Sequence, residues 1–213
     1  MTGPNFDPPK LLQALATLRS EQRADVVCAA GPPAVVVAAL ADEVEKLTMT
    51  QVAQGVEMSE WLVALADEVG EPAARGVARR ARAQALAYAG RFEEALPHCE
   101  QAVALADQQG AAFDAARARL ASVHSLAHLA RYAEATTTAE EARAAFTALG
   151  ESVWAARADI SLGGVHQKNN DHAAALHCFD RARPLLAGEP LLRAQLDSNR
   201  GLALLSRDDF TAA

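Results

Sequence analysis

Runs of alanine and leucine alternate along the chain with short breaks that contain glycine or polar residues, and this alternation is periodic. The string LVALADEVG at 62–70 returns as AVALADQQG at 102–110. Gly70, Gly110 and Gly150 lie 40 residues apart, and Gly188 follows after 38. Self-similarity at a fixed period of this size is the sequence signature of a repeat protein.

A second series of breaks lies between these glycines and has the same period. Phe92, Tyr132 and His172 are 40 residues apart, and Phe210 again follows at 38. Two independent markers therefore agree on the period and on one two-residue deletion, which makes chance a poor explanation. The breaks themselves read AGRFEEAL (89–96), LARYAEAT (129–136), NNDHAAAL (169–176) and SRDDFTAA (206–213).

Each repeat predicts two antiparallel helices, A and B. The periodic glycines suit the position just after a helix end, where a positive φ costs glycine little, and Pro72 and Pro190 suit a helix start. Tight turns are expected at Ala89-Gly90, Leu129-Ala130, Asn169-Asn170 and Arg207-Asp208. The predicted A helices cover 72–88, 112–128, 152–168 and 190–205, and the B helices 92–108, 132–148 and 172–186. Upstream, the pattern predicts a B-type helix over 50–69, an apolar helix over 32–46 and one or two helices over 8–29.

Small residues recur at fixed places in the B helices. Each B helix carries one alanine early and another two turns later, and these small side chains would let it lie close to its A helix. The aromatic or histidine residue at 92, 132, 172 and 210 is expected to fill the wedge at the turn. The alanines are Ala95, Ala135, Ala175 and Ala213, and then Ala102, Ala142 and Ala182.

Composition agrees with an all-α fold. Hydrophobic residues make up 51% of the 213 residues, but much of this is alanine and only 5% are aromatic, which suits close-packed helices better than a sheet. The net charge of −7 argues against a general nucleic-acid binder. No apolar run is long enough to span a bilayer and no signal peptide is visible. With three widely spaced cysteines read as reduced thiols, we expect a cytoplasmic protein.

The stretch LGGVHQKNNDHAAAL (162–176) resembles the tetratricopeptide pattern, in which a Leu-Gly pair in helix A precedes a turn, an aromatic and an alanine. Gly163 and Gly201 match the family's small helix-A position, which Ala83 and Val123 occupy in the other repeats. The usual unit has 34 residues, and the 40-residue variant resembles the N-terminal repeats of bacterial proteins that carry a CHAT (caspase-like) protease domain. The resemblance implies an all-α, right-handed α-α superhelix of antiparallel helix hairpins, with an N-terminal cap over 1–49 and repeats over 50–213, the last one truncated.

The resemblance also implies a concave groove lined by the A helices, which binds a protein or peptide. This groove is basic and polar, whereas acidic residues gather on the B helices and turns, so an acidic or C-terminal peptide would be attracted to it. It lacks the lysine and asparagine clamp of the chaperone-binding members. The alternative is that its arginines are solvated or paired with neighbouring carboxylates. The residues of this chain at the family's groove positions are Arg80, Gln84, Tyr88, Arg117, His124, His128, Arg157, Ser161, Lys168, Gln195 and Asn199.

No group of residues in the sequence predicts catalysis. His124 and His128 have the spacing of a zinc-binding pair on one helix face, but no third ligand is evident, and groove-lining histidines are the preferred interpretation. The His-Cys pairs at 98–99 and 177–178 are adjacent in sequence, so they do not face each other on a helix. No phosphate-binding loop, GxSxG, HExxH or GxGxxG pattern occurs. We therefore expect no catalytic, metal or cofactor site in this segment.

The last predicted A helix places six leucines where only a fragment of its B helix follows: Leu191, Leu192, Leu196, Leu202, Leu204 and Leu205. Because solenoids normally finish with a polar cap, we expect an open end covered by a downstream domain or another chain. The leading hypothesis is a protein-interaction scaffold that regulates a C-terminal effector such as a CHAT protease. The alternative is the sensor arm of a bacterial transcription or signal-transduction regulator.

Overall fold

The computed structural model describes residues 6–211, with the side chains of residues 20, 21 and 207–211 outside that description. The chain divides into two compact units. Unit 1 extends to Ala118 and unit 2 begins at Arg119, so the boundary falls inside one helix. Residues 1–5 and 212–213, which include the predicted packing position Ala213, lie outside the described residues.

Eleven α-helices and no strand make up the described residues, which confirms the all-α prediction. Consecutive helices pack against each other within each unit, as in a helical repeat solenoid. Their bounds are α1 Pro8–Thr17, α2 Ser20–Ala30, α3 Pro33–Thr50, α4 Val52–Val69, α5 Pro72–Tyr88, α6 Phe92–Gln108, α7 Ala112–His128, α8 Tyr132–Ala148, α9 Ser152–Lys168, α10 His172–Ala182 and α11 Pro190–Thr211.

The five helices from α5 to α9 have the predicted bounds, and the turns between them explain why. Each helix has 17 residues and is followed by a connection whose middle residue has a positive φ: Gly90, Gly110, Ala130, Gly150 and Asn170. After each of these residues the next N–H donates to a carbonyl five residues back, as Arg91 does to Leu86 and Asp171 to His166. This is the Schellman closure of a helix end. The 40-residue period is thus two helices plus two identical turns.

The small residues of the B helices are buried where the repeat predicts them. Ala102 is 2% exposed, and the other five alanines, Ala95, Ala135, Ala175, Ala142 and Ala182, are fully buried. Gly163 in α9 lies still closer to its partner: a Cβ atom there would come within 2.3 Å of the Phe179 ring in α10. The equivalent pairs of positions hold Ala83 with Cys99 and Val123 with Ala139, so each pair contains at least one small residue, and the largest ring faces a glycine.

Two predicted boundaries near the end of the chain are wrong. α10 ends at Ala182 and continues as a 3₁₀ turn over Arg183–Leu186, and Gly188 has no positive φ. Pro184 explains the early end, because proline has no N–H and clashes with the preceding turn of an α-helix. The turn at Arg207-Asp208 is also absent, since α11 continues to Thr211, and neither glycine nor proline occurs between Leu202 and Thr211.

The two ends of the chain differ in how they bury apolar residues. In unit 1, Leu15, Val36, Leu40 and Leu62 form a fully buried core among α1, α3 and α4. In α11, Leu196 is fully buried, whereas Leu191, Leu202 and Leu205 are exposed. Three of the six predicted leucines thus lie on an open surface.

No single helix of the described part is long and apolar enough to cross a membrane. Gln22–Ala30 and Pro33–Thr50 pass that criterion of length and composition only as a pair, and the pair is bent by 105°.

Candidate partner-binding face

In unit 1 the predicted groove residue Arg80 is a buried ion-pair partner. Its side chain is 5% exposed, and Nη1 bonds to the Glu45 carboxylate on α3. Because Glu45 neutralises this guanidinium inside the unit, Arg80 presents almost no charge at the outer surface, where an acidic ligand would bind. Burial without a charge partner would be far more costly.

Arg117 belongs to the same group of charges. Its Nη2 lies 3.8 Å from carboxylate oxygens of both Asp42 and Glu45, and its side chain is 18% exposed. Burial lowers the pKa of Arg117, the Arg80 charge lowers it further, and the carboxylates counteract this. Gln84 is half-buried and Tyr88 is exposed. Of the groove residues predicted in unit 1, the two cations are therefore held by acidic residues of α3.

Unit 2 presents its cations differently. Arg157, Ser161 and Lys168 lie on one face of α9, because their spacings of four and seven residues bring helical side chains together. Arg157 and Lys168 are exposed and Ser161 is half-buried. Within the described part of the chain, neither cation forms an ion pair; the Arg157 guanidinium instead lies 4.9 Å from the centre of the Trp154 ring. Gly164, between Ser161 and Lys168, has open space where a side chain would stand.

Contacts with α8 and α10 hold α9 in place. Asp159 is almost fully buried, accepts hydrogen bonds from Arg181 on α10 and lies 3.7 Å from Arg143 on α8. Trp154 stacks on the fully buried Phe146 of α8, with ring centres 5.5 Å apart. α9 is thus held between its two neighbours by charge and by packing.

His124 and His128 come close to Lys168. The two rings meet edge to face with centres 4.2 Å apart. Burial lowers the pKa of His124, as do the nearby His128 and Lys168, and burial and Lys168 lower the pKa of His128. Both rings are therefore neutral at pH 7, and they become cations only in acid or beside an anion.

Asn199 lies where α11 contacts α9. Its carbonyl oxygen accepts a hydrogen bond from Gln167 Nε2 at 2.9 Å, which joins α11 to α9. We use the name unit 2 face for the set His124, His128, Arg157, Ser161, Lys168 and Asn199. The seventh predicted groove residue of unit 2, Gln195, is exposed.

Metal and thiol chemistry receive no support from the described residues. No three His, Cys, Asp or Glu side chains there are placed to hold a metal ion, and this applies to the His124–His128 pair as well. Cys28 is exposed, while Cys99 and Cys178 are buried, and all three are free thiols. Burial raises the pKa of Cys99 to about 12, so its thiol stays protonated and packs as a small hydrophobic group.

Sequence reasoning did not find the residues that neutralise the unit 1 cations. Asp42 and Glu45 lie in the apolar helix α3, outside the repeats, and nothing in the period links them to α5 or α7. Arg82 was also missed: it is buried in α5 and donates to the Val56 carbonyl and to Ser59 Oγ on α4. The available signal was the sequence RGVARRARA, because a helix with four arginines in eight residues must bury some of them.

No protein-family model matches the chain, and no curated protein matches it. Among solved structures, the chain is similar to BtubC (BKLC) from P. vanneervenii, with a TM-score of 0.69 and 17% sequence identity over 97% of this chain and 87% of that one. At this identity the likeness shows the fold alone, which is a helical repeat-like solenoid in which successive helices pack together.

Proposed function

We propose that this protein is an interaction module that binds an acidic segment of another protein or of a peptide on the unit 2 face. Helical repeat solenoids are commonly used as scaffolds for protein interactions, through surfaces made by successive repeats. Fold alone does not select a partner, so the proposal depends on the chemistry of this face.

One observation carries the proposal: Arg157 and Lys168 are exposed cations without an ion pair in the described residues, in a protein of net charge −7. The other cations of the predicted groove, Arg80 and Arg117, lie beside carboxylates. Arg157 offers a planar guanidinium on an aromatic ring, which suits a carboxylate, and Lys168 offers a point charge about three turns further along the helix. Their separation favours an extended segment with several acidic side chains.

The two histidines of the unit 2 face gain a positive charge when they are protonated. A bound carboxylate would stabilise the protonated rings of His124 and His128, so binding would take up protons and strengthen in mild acid. Ser161 and Asn199 would supply neutral hydrogen bonds that set the register of the segment. We assign these residues to partner binding and no catalytic role to this part of the chain.

The wider identity that we propose is a tetratricopeptide-type module of a bacterial, cytoplasmic regulatory protein, acting on an effector such as a CHAT protease. This rests on the 40-residue period and on the LGGVHQKNNDHAAAL stretch. A transcription or signal-transduction regulator is the alternative, and the native gene sequence around this segment distinguishes them: a His and Cys pair on an α/β domain supports the first, a phosphate-binding loop or a helix-turn-helix the second.

The test of the proposed function is a titration with a fluorescently labelled, glutamate-rich peptide, with the glutamine version as the control ligand. We expect the glutamate peptide to bind, the glutamine peptide to bind at least about tenfold more weakly, and added salt to weaken the glutamate complex. The double variant Arg157→Glu/Lys168→Glu should lose binding while its circular dichroism is unchanged. Equal binding of both peptides, or normal binding by the folded double variant, would overturn the proposal.

A further inference from the structure

A small cavity lies between α5, α6 and α7 in unit 1. Its volume is about 30 Å³, and alanines make up five of its ten lining residues. The polar groups at the wall are Arg80, Gln109 and Asp114, and Gly76 lies beside them. Since a water molecule needs roughly 10–15 Å³ in such a measure, the cavity has room for about two water-sized groups.

One of the wall residues has an unused donor. Arg80 is 4% exposed, and while Nη1 bonds to Glu45, Nη2 is buried without a hydrogen-bond partner. A buried donor that has lost its water and gained no partner is unfavourable. The cavity therefore lies next to a group that requires an acceptor.

The surrounding charges decide which kind of acceptor fits. Arg80 and Arg117 supply two positive charges, whereas Asp42, Glu45 and Asp114 supply three negative ones. The group is already negative by one unit, so a carboxylate entering the cavity would meet net repulsion and lose its hydration. A neutral group with an acceptor for Arg80 and a donor for Asp114 suits both ends.

We propose that this cavity is a subsite for the side-chain carboxamide of a glutamine or asparagine residue of a protein partner. A carboxamide has one acceptor oxygen and one donor nitrogen, about the size of the two groups that the cavity holds. The role of the cavity in partner binding rests on the proposed function. Its preference for a carboxamide does not, because that preference depends only on residues of unit 1 and concerns a neutral group rather than an acidic one.

The test uses small probes on the intact chain and needs no partner. Propionamide and its charged analogue propionate are titrated while backbone amide shifts of Ala73, Gly76, Gln109 and Asp114 are followed by NMR. We expect saturable shifts with propionamide and binding of propionate at least about tenfold weaker.

Gly76→Ala is the blocking variant. Its Cβ atom would lie 3.6 Å from Leu105 Cβ and 3.8 Å from the Ala102 carbonyl, which is ordinary contact, so the variant folds and narrows the cavity. It should lose the propionamide shifts, whereas the matched helix-interior variant Gly164→Ala in unit 2 should keep them. Absence of saturable shifts with propionamide would mean that the cavity holds only water, and tighter binding of propionate would mean an anion site. Either result overturns the proposal and leaves the glutamate-peptide test on unit 2 unaffected.

Discussion

The two units use the cations of their A helices in opposite ways. In unit 1, Arg80 and Arg117 are largely buried and lie beside the carboxylates of α3. In unit 2, Arg157 and Lys168 face outward, and the buried carboxylate of α9, Asp159, is neutralised from behind by Arg181 and Arg143. Arg117 and Arg157 occupy the same position of the 40-residue repeat, yet one stabilises the fold and the other is available for a partner.

This difference teaches that a position in a repeat does not determine the role of its residue. The first repeat packs against α3, which belongs to the N-terminal part of the chain and carries Asp42 and Glu45. Because these two carboxylates pair with Arg80 and Arg117, the two arginines stabilise unit 1 instead of facing a partner. The comparison yields the following predictions, from the largest expected effect to the smallest.

Arg80→Ala should lower the free energy of unfolding by about 3 kcal/mol, because it leaves the largely buried Glu45 with only the more distant guanidinium of Arg117. Arg157→Ala should cost less than about 1 kcal/mol, the value of an exposed cation–π contact. Urea denaturation is the suitable measurement, since urea does not screen ion pairs. Similar losses of unfolding free energy in both variants would contradict the claim that only the unit 1 arginine is a structural residue.

Gly163→Ala should lower the free energy of unfolding by about 1–3 kcal/mol, because the new methyl group overlaps the Phe179 ring of α10. Gly164→Ala, one residue later, should raise it by about 0.5–1 kcal/mol, because alanine favours the helix and nothing lies in its way. Thermal unfolding of the pair measures both effects. If both substitutions shift the unfolding midpoint in the same direction, Gly163 does not pack as closely against Phe179 as the structure shows.

The turns of the two units also differ, and Ala130→Gly tests this. In unit 1 the residues of positive φ after α4, α5 and α6 are all glycines, whereas in unit 2 Ala130 and Asn170 adopt this conformation. Relief of the strain at Ala130 should stabilise the protein by about 0.5–1 kcal/mol, even though glycine is more flexible in the unfolded chain. The reverse change Gly150→Ala should destabilise it. A loss of stability in Ala130→Gly would contradict the left-handed turn.

Acid should weaken unit 2 slightly. The folded pKa values of His124 and His128 lie below the ordinary value of 6.5, so between these values the unfolded chain binds more protons than the folded one. The contribution of these two histidines to the free energy of unfolding should therefore be constant above pH 7 and fall as the pH drops through 6.5. A double His→Gln variant at these positions should show a smaller fall, and an identical pH profile for both proteins would contradict the lowered pKa values.

The helix bounds from Pro72 to Lys168 could be predicted because each depends on local chemistry: a turn residue, a small packing residue and a period that repeats them. The buried small positions Ala95, Ala135 and Ala175 followed from the same register. The 3₁₀ turn at Arg183–Leu186 was missed although Pro184 gave its signal. The ion pair between Arg80 and Glu45 joins residues 35 apart on helices that do not share a repeat, and no local pattern carries that information.

The central claim is that Arg117 stabilises unit 1 while Arg157 binds the partner. The most direct test measures both properties of Arg117→Gln and Arg157→Gln: the free energy of unfolding in urea and the affinity for the glutamate-rich peptide. We predict a crossed result, in which Arg117→Gln loses stability and keeps the affinity, whereas Arg157→Gln keeps stability and loses affinity. If Arg117→Gln weakens the peptide complex at unchanged stability, both arginines belong to one binding groove and the division between the units is wrong.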